Sequence, residues 1–149
     1  MAGLYFEQLT PGRRFEHAIR RTVTETDNLL ITTLTHNPAA LHLDAEAMQA
    51  SEFGRILVNS CFTLSLMVGI SVGDTTLGTT IANLGWDEVR FPKPVFVGDT
   101  LHIVTEVVDR RESRSRPDAG IVTFRHCALN QDDVEVASCL RSALMKKQP

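Results

Sequence analysis

Apolar positions along this chain change their period once, from helical in the first half to alternating in the second. Thr24 and Asp27 stand three apart, as in a capping box, and Leu30, Ile31 and Leu34 follow at helical spacing. The pattern predicts a helix from Asp27 to about Thr35. Asp44 is placed to cap a second, short helix through about Ala50. A third helix is predicted from Ser60 to Val72. There Cys61, Leu64, Met67 and Val68 mark one face, and Phe62, Leu66 and Ile70 mark another. A helix apolar on most sides is a buried one. Asn59 or Ser60 can cap its start, and Gly73-Asp74 closes it.

After Asp74 the period becomes two. "TTIANLGWDEVRF" reads as a strand with an irregularity at Gly85. Leu101, Ile103, Thr105 and Val107 alternate in the next segment, and Val122, Phe124, His126 and Ala128 in the one after. In the last, the alternation is read as Val134, Val136, Ser138, Leu140 and Leu144. Turn-forming stretches, "FPKPVFVGD", "SRSRPDAG" and "NQDD", separate the four. Ahead of the first helix, Phe15, His17, Ile19, Arg21 and Val23 share one face, either of an edge strand or of an irregular lead-in.

Helices first and antiparallel strands afterwards predict an α+β fold, with the sheet wrapped around the long apolar helix. Such a sheet leaves edges and an open face, which favours a dimer. A length of 149 residues suits one domain, 1–149, and not two ordinary ones. The formal net charge of −3 argues against a nucleic-acid partner, which calls for a basic face. The longest apolar stretch, Phe62 to Gly73, falls short of the roughly 20 residues of a membrane span. No secretory leader is evident at the start, and three widely spaced cysteines fit neither a disulfide framework nor a zinc site. The expected compartment is the cytoplasm.

Candidate chemistry concentrates in "THNPAALHLD", Thr35 to Asp44. Asn is a good cap and Pro suits the first helical position, so Asn37-Pro38 alone is explained as a helix start. His42 alone would be a structural or surface histidine. Elsewhere, Arg110, Arg111, Arg114 and Arg116 cluster at a predicted hairpin tip and read as a solvated loop, with a phosphate clamp as the alternative. Trp86 and Phe91 are expected in the core or a dimer interface.

Taken in order, "TVTETD", "NPAALHLD", "ILVNSCFTLSL" and "VRFPKPVFVGDTL" resemble the MaoC-like dehydratases, the hot-dog-fold enoyl-CoA hydratases. The resemblance covers nearly the whole chain. It implies a single hot-dog domain and reversible addition of water across the double bond of an enoyl-CoA thioester. No separate cofactor is implied, since coenzyme A is part of the substrate. The family places an aspartate five residues before a histidine, in a pattern like Gly-Asp-x-Asn-Pro-x-His. Setting His42 in the histidine position puts Asn37 where the aspartate belongs. Aligning Asn37-Pro38 with the family's Asn-Pro leaves Ala40 there instead. The first register keeps an imidazole in the site without an insertion. In either, the aspartate is missing.

That departure has a chemical cost, because an amide cannot exchange a proton at neutral pH. The resemblance therefore implies His42 as the single acid/base, with Asn37 positioning the water. The backbone N–H groups of Ser60 and Cys61 become the expected oxyanion hole, at the positive end of the helix dipole. Arg55, Arg90 and Asn59 are weaker substrate-binding candidates, the arginines for a carboxylate on the acyl part. The wording of the chain points to branched or dicarboxylic C5 thioesters. Two other functions remain: a thioesterase, disfavoured because Ser60 to Val72 holds no Asp, Glu or His, and a non-catalytic acyl-CoA-binding or silent subunit of a heteromeric dehydratase.

Overall fold

The computed structural model describes residues 3–149. Helix α1 spans Glu25–Leu34 and starts from the predicted capping box: Thr24 Oγ1 accepts from the Asp27 N–H at 3.2 Å, and Asp27 Oδ2 accepts from the Thr24 N–H at 2.8 Å. Loss of such a cap costs about 1 kcal/mol. Its orientation is inverted relative to its apolar pattern. Leu29, Leu30 and Leu34 point outward, Leu34 with 75% of its surface exposed, whereas Asn28 and Thr32 are buried.

Two short helices follow, α2 at Ala40–Leu43 and α3 at Ala45–Gln49, the latter capped by Asp44 as predicted. Helix α4, Ser60–Thr75, is the buried one. It runs past the predicted stop at Gly73-Asp74. Asp74 turns its carboxylate to His17 instead of competing for the helix backbone, and the helix ends at Thr75, with Thr76 as its C-cap.

The strands are β1 (Arg14–Thr22), β2 (Thr80–Arg90), β3 (Thr100–Glu112), β4 (Ala119–Leu129) and β5 (Glu135–Lys146). They form one antiparallel sheet in the order β1-β3-β4-β5-β2. The lead-in segment is thus an edge strand. β2 forms the other edge, and its register slips at Gly85 as expected. The sheet packs against α4 through β1, β3, β4 and β5, which is the hot-dog arrangement implied by the resemblance.

In β3 and β4 the inward residues are those predicted. In β5 the phase is opposite: Ala137, Cys139, Arg141, Ala143 and Met145 are buried, while Leu140 and Leu144 lie on the half-buried outer side. The alternation read through Leu140 and Leu144 leaves Arg141 on the opposite face, and an error of one residue moves every side chain to the other face. Trp86 and Phe91, expected in the core or a dimer interface, are well exposed and so lie outside this chain's core.

The inward faces share a regular interruption. Leu101 and Ile103 are separated from Val107 by Thr105, Ala128 from Phe124 by His126, and Cys139 from Ala143 by Arg141. One polar row therefore divides the interior. On one side lies a cluster including Met67, Ile70, Leu101 and Ile103; on the other lies one including Phe6, Leu9, Phe124 and Met145. Phe6 seats against Gly120, where any Cβ would strike its ring.

Hydrogen bonds run along the row. His17 Nδ1–H donates to Asp74 at 2.7 Å. With one proton on each imidazole, His17 Nε2 then accepts from Thr105 Oγ1, which accepts in turn from His126 Nδ1–H, both at 2.9 Å. Among the described residues, His126 Nε2 and the Nε and Nη2 of Arg141 have no partner. Burial, helped by the nearby Arg141 charge, pushes the His126 imidazole down to about 3.

Candidate active site

Asn37 and Pro38 do not cap α2, whose N-cap is Ala39. Asn37 Oδ1 instead accepts from the Ala39 N–H at 2.9 Å, two residues on, a local Asx turn that leads the chain into the helix turn bearing His42. His36 takes the left-handed conformation in the same bend, with φ 54°.

His42 is half-buried. Its Nδ1 lies 2.8 Å from the Leu57 carbonyl oxygen. A carbonyl only accepts, so Nδ1 carries the hydrogen and Nε2 presents its lone pair, with no partner among the described residues. Leu57 is itself anchored: its N–H donates to the Leu41 carbonyl at 2.9 Å, and it forms an isolated antiparallel bridge with Phe96. The imidazole is thus oriented by main chain.

The start of α4 lies beside it. Asn59 caps the helix, Oδ1 accepting from the Cys61 N–H at 3.0 Å, and Nδ2 donates to Thr32 Oγ1 at 3.2 Å. Both facts correct the expectations. The Cys61 N–H is already engaged by the Asn59 side chain and so is not the free donor expected. Asn59 is buried, caps the helix and lines neither of the clefts at His42. The Phe62 and Thr63 N–H groups turn back to the Asn59 carbonyl. Among the described residues only the Ser60 N–H of this turn is left without an acceptor, and it lies at the positive end of a helix of 16 residues. The Ser60 hydroxyl makes no hydrogen bond to His42.

Two clefts meet at His42. One, of about 440 Å³, is lined by His42, Ser60 and Thr63 together with Phe53, Val58, Phe91 and Lys93. The other, of about 560 Å³, is lined by His42, Asn28 and Arg55 with Glu25, Glu46 and Gln49. Arg55 lies flat over the Phe96 ring, 3.8 Å from its centroid. Asn37 and Arg90 line neither cleft. His42 borders both clefts, Ser60 one and Arg55 the other, whereas those two lie outside them.

Asn28 is the residue that sequence reasoning missed. It is 3% exposed and binds both sides of the site: Nδ2 donates to the His42 carbonyl at 3.0 Å, and Oδ1 accepts from the Asn59 N–H at 2.9 Å. The available signal was an Asn and a Thr four apart on α1, a polar pair on one helix face.

Burial pushes the Cys127 thiol up to about 12 and that of Cys139 up to about 11, so neither offers a thiolate nucleophile at neutral pH. The carboxylate on α4, Asp74, lies fourteen residues past Ser60, about 21 Å along the axis. Arg110 donates to the Phe6 and Glu7 carbonyls and Arg116 forks onto Asp118, so two of the four hairpin arginines are held locally. Among the described residues, no group of three or more His, Cys, Asp or Glu converges, and no helix is long and apolar enough to cross a membrane.

Comparison with known proteins gives a consistent neighbourhood. Residues 6–128 match the family described as MaoC like domain. A mesaconyl-CoA hydratase of Cereibacter sphaeroides is 33% identical over 147 residues, which are 99% of this chain and 42% of that protein. A β-methylmalyl-CoA dehydratase of Chloroflexus aurantiacus is 31% identical over 146 residues, 98% of this chain and 41% of its own. The chain thus spans about two fifths of the length of these relatives. The crystal structure described as a monoamine oxidase regulatory protein from Archaeoglobus fulgius superposes with a TM-score of 0.89 at 33% identity, covering 100% of this chain and 98% of that one.

Proposed function

Because the chain belongs to the MaoC-like domain family, we propose that it is a hydratase, working reversibly as a dehydratase, on the double bond of a short enoyl-CoA thioester. One observation carries the reading: His42 donates from Nδ1 to the Leu57 carbonyl, and the residue shares a cleft with Ser60, whose N–H is unengaged. A base and an oxyanion donor lining one cleft suit addition to an unsaturated thioester.

The thioester oxygen accepts from the Ser60 N–H, where the α4 dipole favours developing negative charge. His42 Nε2 removes a proton from water as its oxygen bonds to the β-carbon. The resulting enolate takes the same proton back from Nε2–H at the α-carbon, so one water is added and the imidazole is restored. Asn37 shapes the turn carrying His42 and takes no part in the steps. The acyl part enters the cleft of Arg55, which would pair with a terminal carboxylate of a branched or dicarboxylic chain. The two relatives named as a mesaconyl-CoA hydratase and a β-methylmalyl-CoA dehydratase agree with such a substrate. The pantetheine arm follows the apolar cleft past Lys93. A second copy of the chain covers outward residues such as Leu84 and Trp86 on the β2 edge.

The test is hydration of crotonyl-, mesaconyl- and itaconyl-CoA by the protein and by His42→Ala, followed by loss of enoyl-thioester absorbance. We expect turnover, best on a dicarboxylic member, and a fall on the order of 10²–10⁴-fold in the variant. Light scattering should give twice the 16.5 kDa chain mass; a monomer mass removes the second copy. Absence of turnover on every member, with the thioesters still bound, would instead support the silent-subunit reading, which the missing family aspartate favours.

A further inference from the structure

The two reacting groups of this site come from separate parts of the chain, His42 on α2 and the Ser60 N–H at the start of α4. Their spacing must be fixed by something between them. Asn28, on the first turn of α1, contacts the main chain on both sides. Its Nδ2 donates to the His42 carbonyl, and its Oδ1 accepts from the N–H of Asn59, the residue immediately before Ser60. Neither assignment can be reversed, because the carbonyl can only accept and the N–H can only donate.

We propose that Asn28 is a positioning residue, setting the distance and angle between the His42 imidazole and the Ser60 N–H. The inference rests on the hydratase reading above. Three features make the amide suited to this. Its donor and acceptor are rigidly joined on one carbon, so the two main-chain segments are held at a fixed span. Its side chain is buried, so water does not substitute freely for either bond. Thr32, one turn further along α1, holds the Asn59 side chain at 3.2 Å, so the same helix fixes the cap as well as its N–H.

An aspartate of the same shape could still accept from the Asn59 N–H, but it would set a carboxylate oxygen against the His42 carbonyl. It would also favour the protonated imidazole nearby. An alanine would leave both main-chain groups without a partner.

The experiment compares wild type, Asn28→Asp and Asn28→Ala by kcat, KM and the pH dependence of kcat/KM, with activity scaled to folded protein by circular dichroism. Misplacing a reacting group by about an ångström can cost on the order of 10²-fold. We expect a loss of that order in kcat for Asn28→Ala with KM within about threefold. In Asn28→Asp the acid limb of the profile should move to higher pH. A residue needed only for folding would lower the folded fraction and leave kcat per folded molecule and the pH limb in place; that result overturns the proposal. Asn28→Asp keeps the question answerable should Asn28→Ala fail to fold. Imidazole ¹⁵N spectra of His42 separate this inference from the hydratase reading. If wild type turns over no thioester but loses its slowly exchanging Nδ1–H in the variants, positioning stands and the reaction does not. Unchanged spectra and kinetics sink the positioning role alone.

Discussion

Helix α4 carries a buried polar network at each end, and the two differ in what they leave free. At its start, Asn28, Thr32, Asn59 and His42 are tied together across α1, α2 and α4. Near its end, Asp74, His17, Thr105 and His126 form a file that crosses the sheet. Each is built around an imidazole whose Nδ1 is engaged. At the first end one ring nitrogen and one backbone N–H remain without partners and border clefts. At the second, the unengaged atoms of His126 and Arg141 are sealed inside, with His126 fully buried. Burial of polar groups is common to both networks; access by a ligand to an unengaged atom belongs to one. Chemistry is assigned to the end that is open.

The sharpest way to break this comparison is to remove the free donor while keeping the helix. Proline is well tolerated at the first helical position, which Ser60 occupies, and it lacks an N–H. Asn59, with φ −60° and ψ 124°, already has the conformation a following proline requires. Ser60→Pro should leave the thermal midpoint nearly unchanged and lower kcat on the order of 10²–10³-fold. Retained kcat would move the oxyanion site elsewhere.

The closed end predicts a stability effect instead. His126 stays neutral in the fold down to about pH 3, whereas in the unfolded chain it binds a proton below its ordinary value near 6.5. The unfolded state therefore holds more protons between those limits, and stability rises with pH across the window. It falls as pH drops below about 6.5, with a limiting slope of about 1.4 kcal/mol per pH unit. Urea unfolding between pH 4 and 7 measures it. His126→Met should flatten the dependence while hydration at neutral pH persists; an unchanged slope would assign it to other groups.

The smallest effect concerns Arg141, whose charge is buried over the Phe124 ring without an acidic partner among the described residues. Burial pulls its guanidinium below the usual range. Replacing an ill-compensated buried charge by an apolar side chain of similar length should stabilise the fold, by about 1 kcal/mol for Arg141→Met. It should also narrow the His126 window, since the Arg141 charge helps depress that imidazole. Destabilisation would show that Arg141 has a partner that the comparison lacks.

These networks also mark where the sequence was readable. The capping box of α1, the slip at Gly85 and the alternation of β3 and β4 all follow from local chemistry, and the structure repeats them. His42 and Ser60 were placed by the family pattern. The misreadings share a cause: each involves a polar residue whose place is set by tertiary contacts. Arg141 shifted the phase of β5, Asp74 seemed to end α4, and Asn28 was passed over in a helix whose leucines point outward. Periodicity reports which residues are apolar. It cannot report a polar residue buried because its partner arrives from another part of the chain.

One more consequence follows from how the open end is built. The group that orients His42 is the carbonyl of Leu57, the group proposed to meet the thioester oxygen is the N–H of Ser60, and neither belongs to a side chain. Any amino acid supplies the first, and any but proline supplies the second. A lineage can therefore rewrite both letters without touching the atoms that the reaction uses. Inheritance of this site is recorded in backbone geometry, and a search for invariant residues at positions 57 and 60 would pass over it.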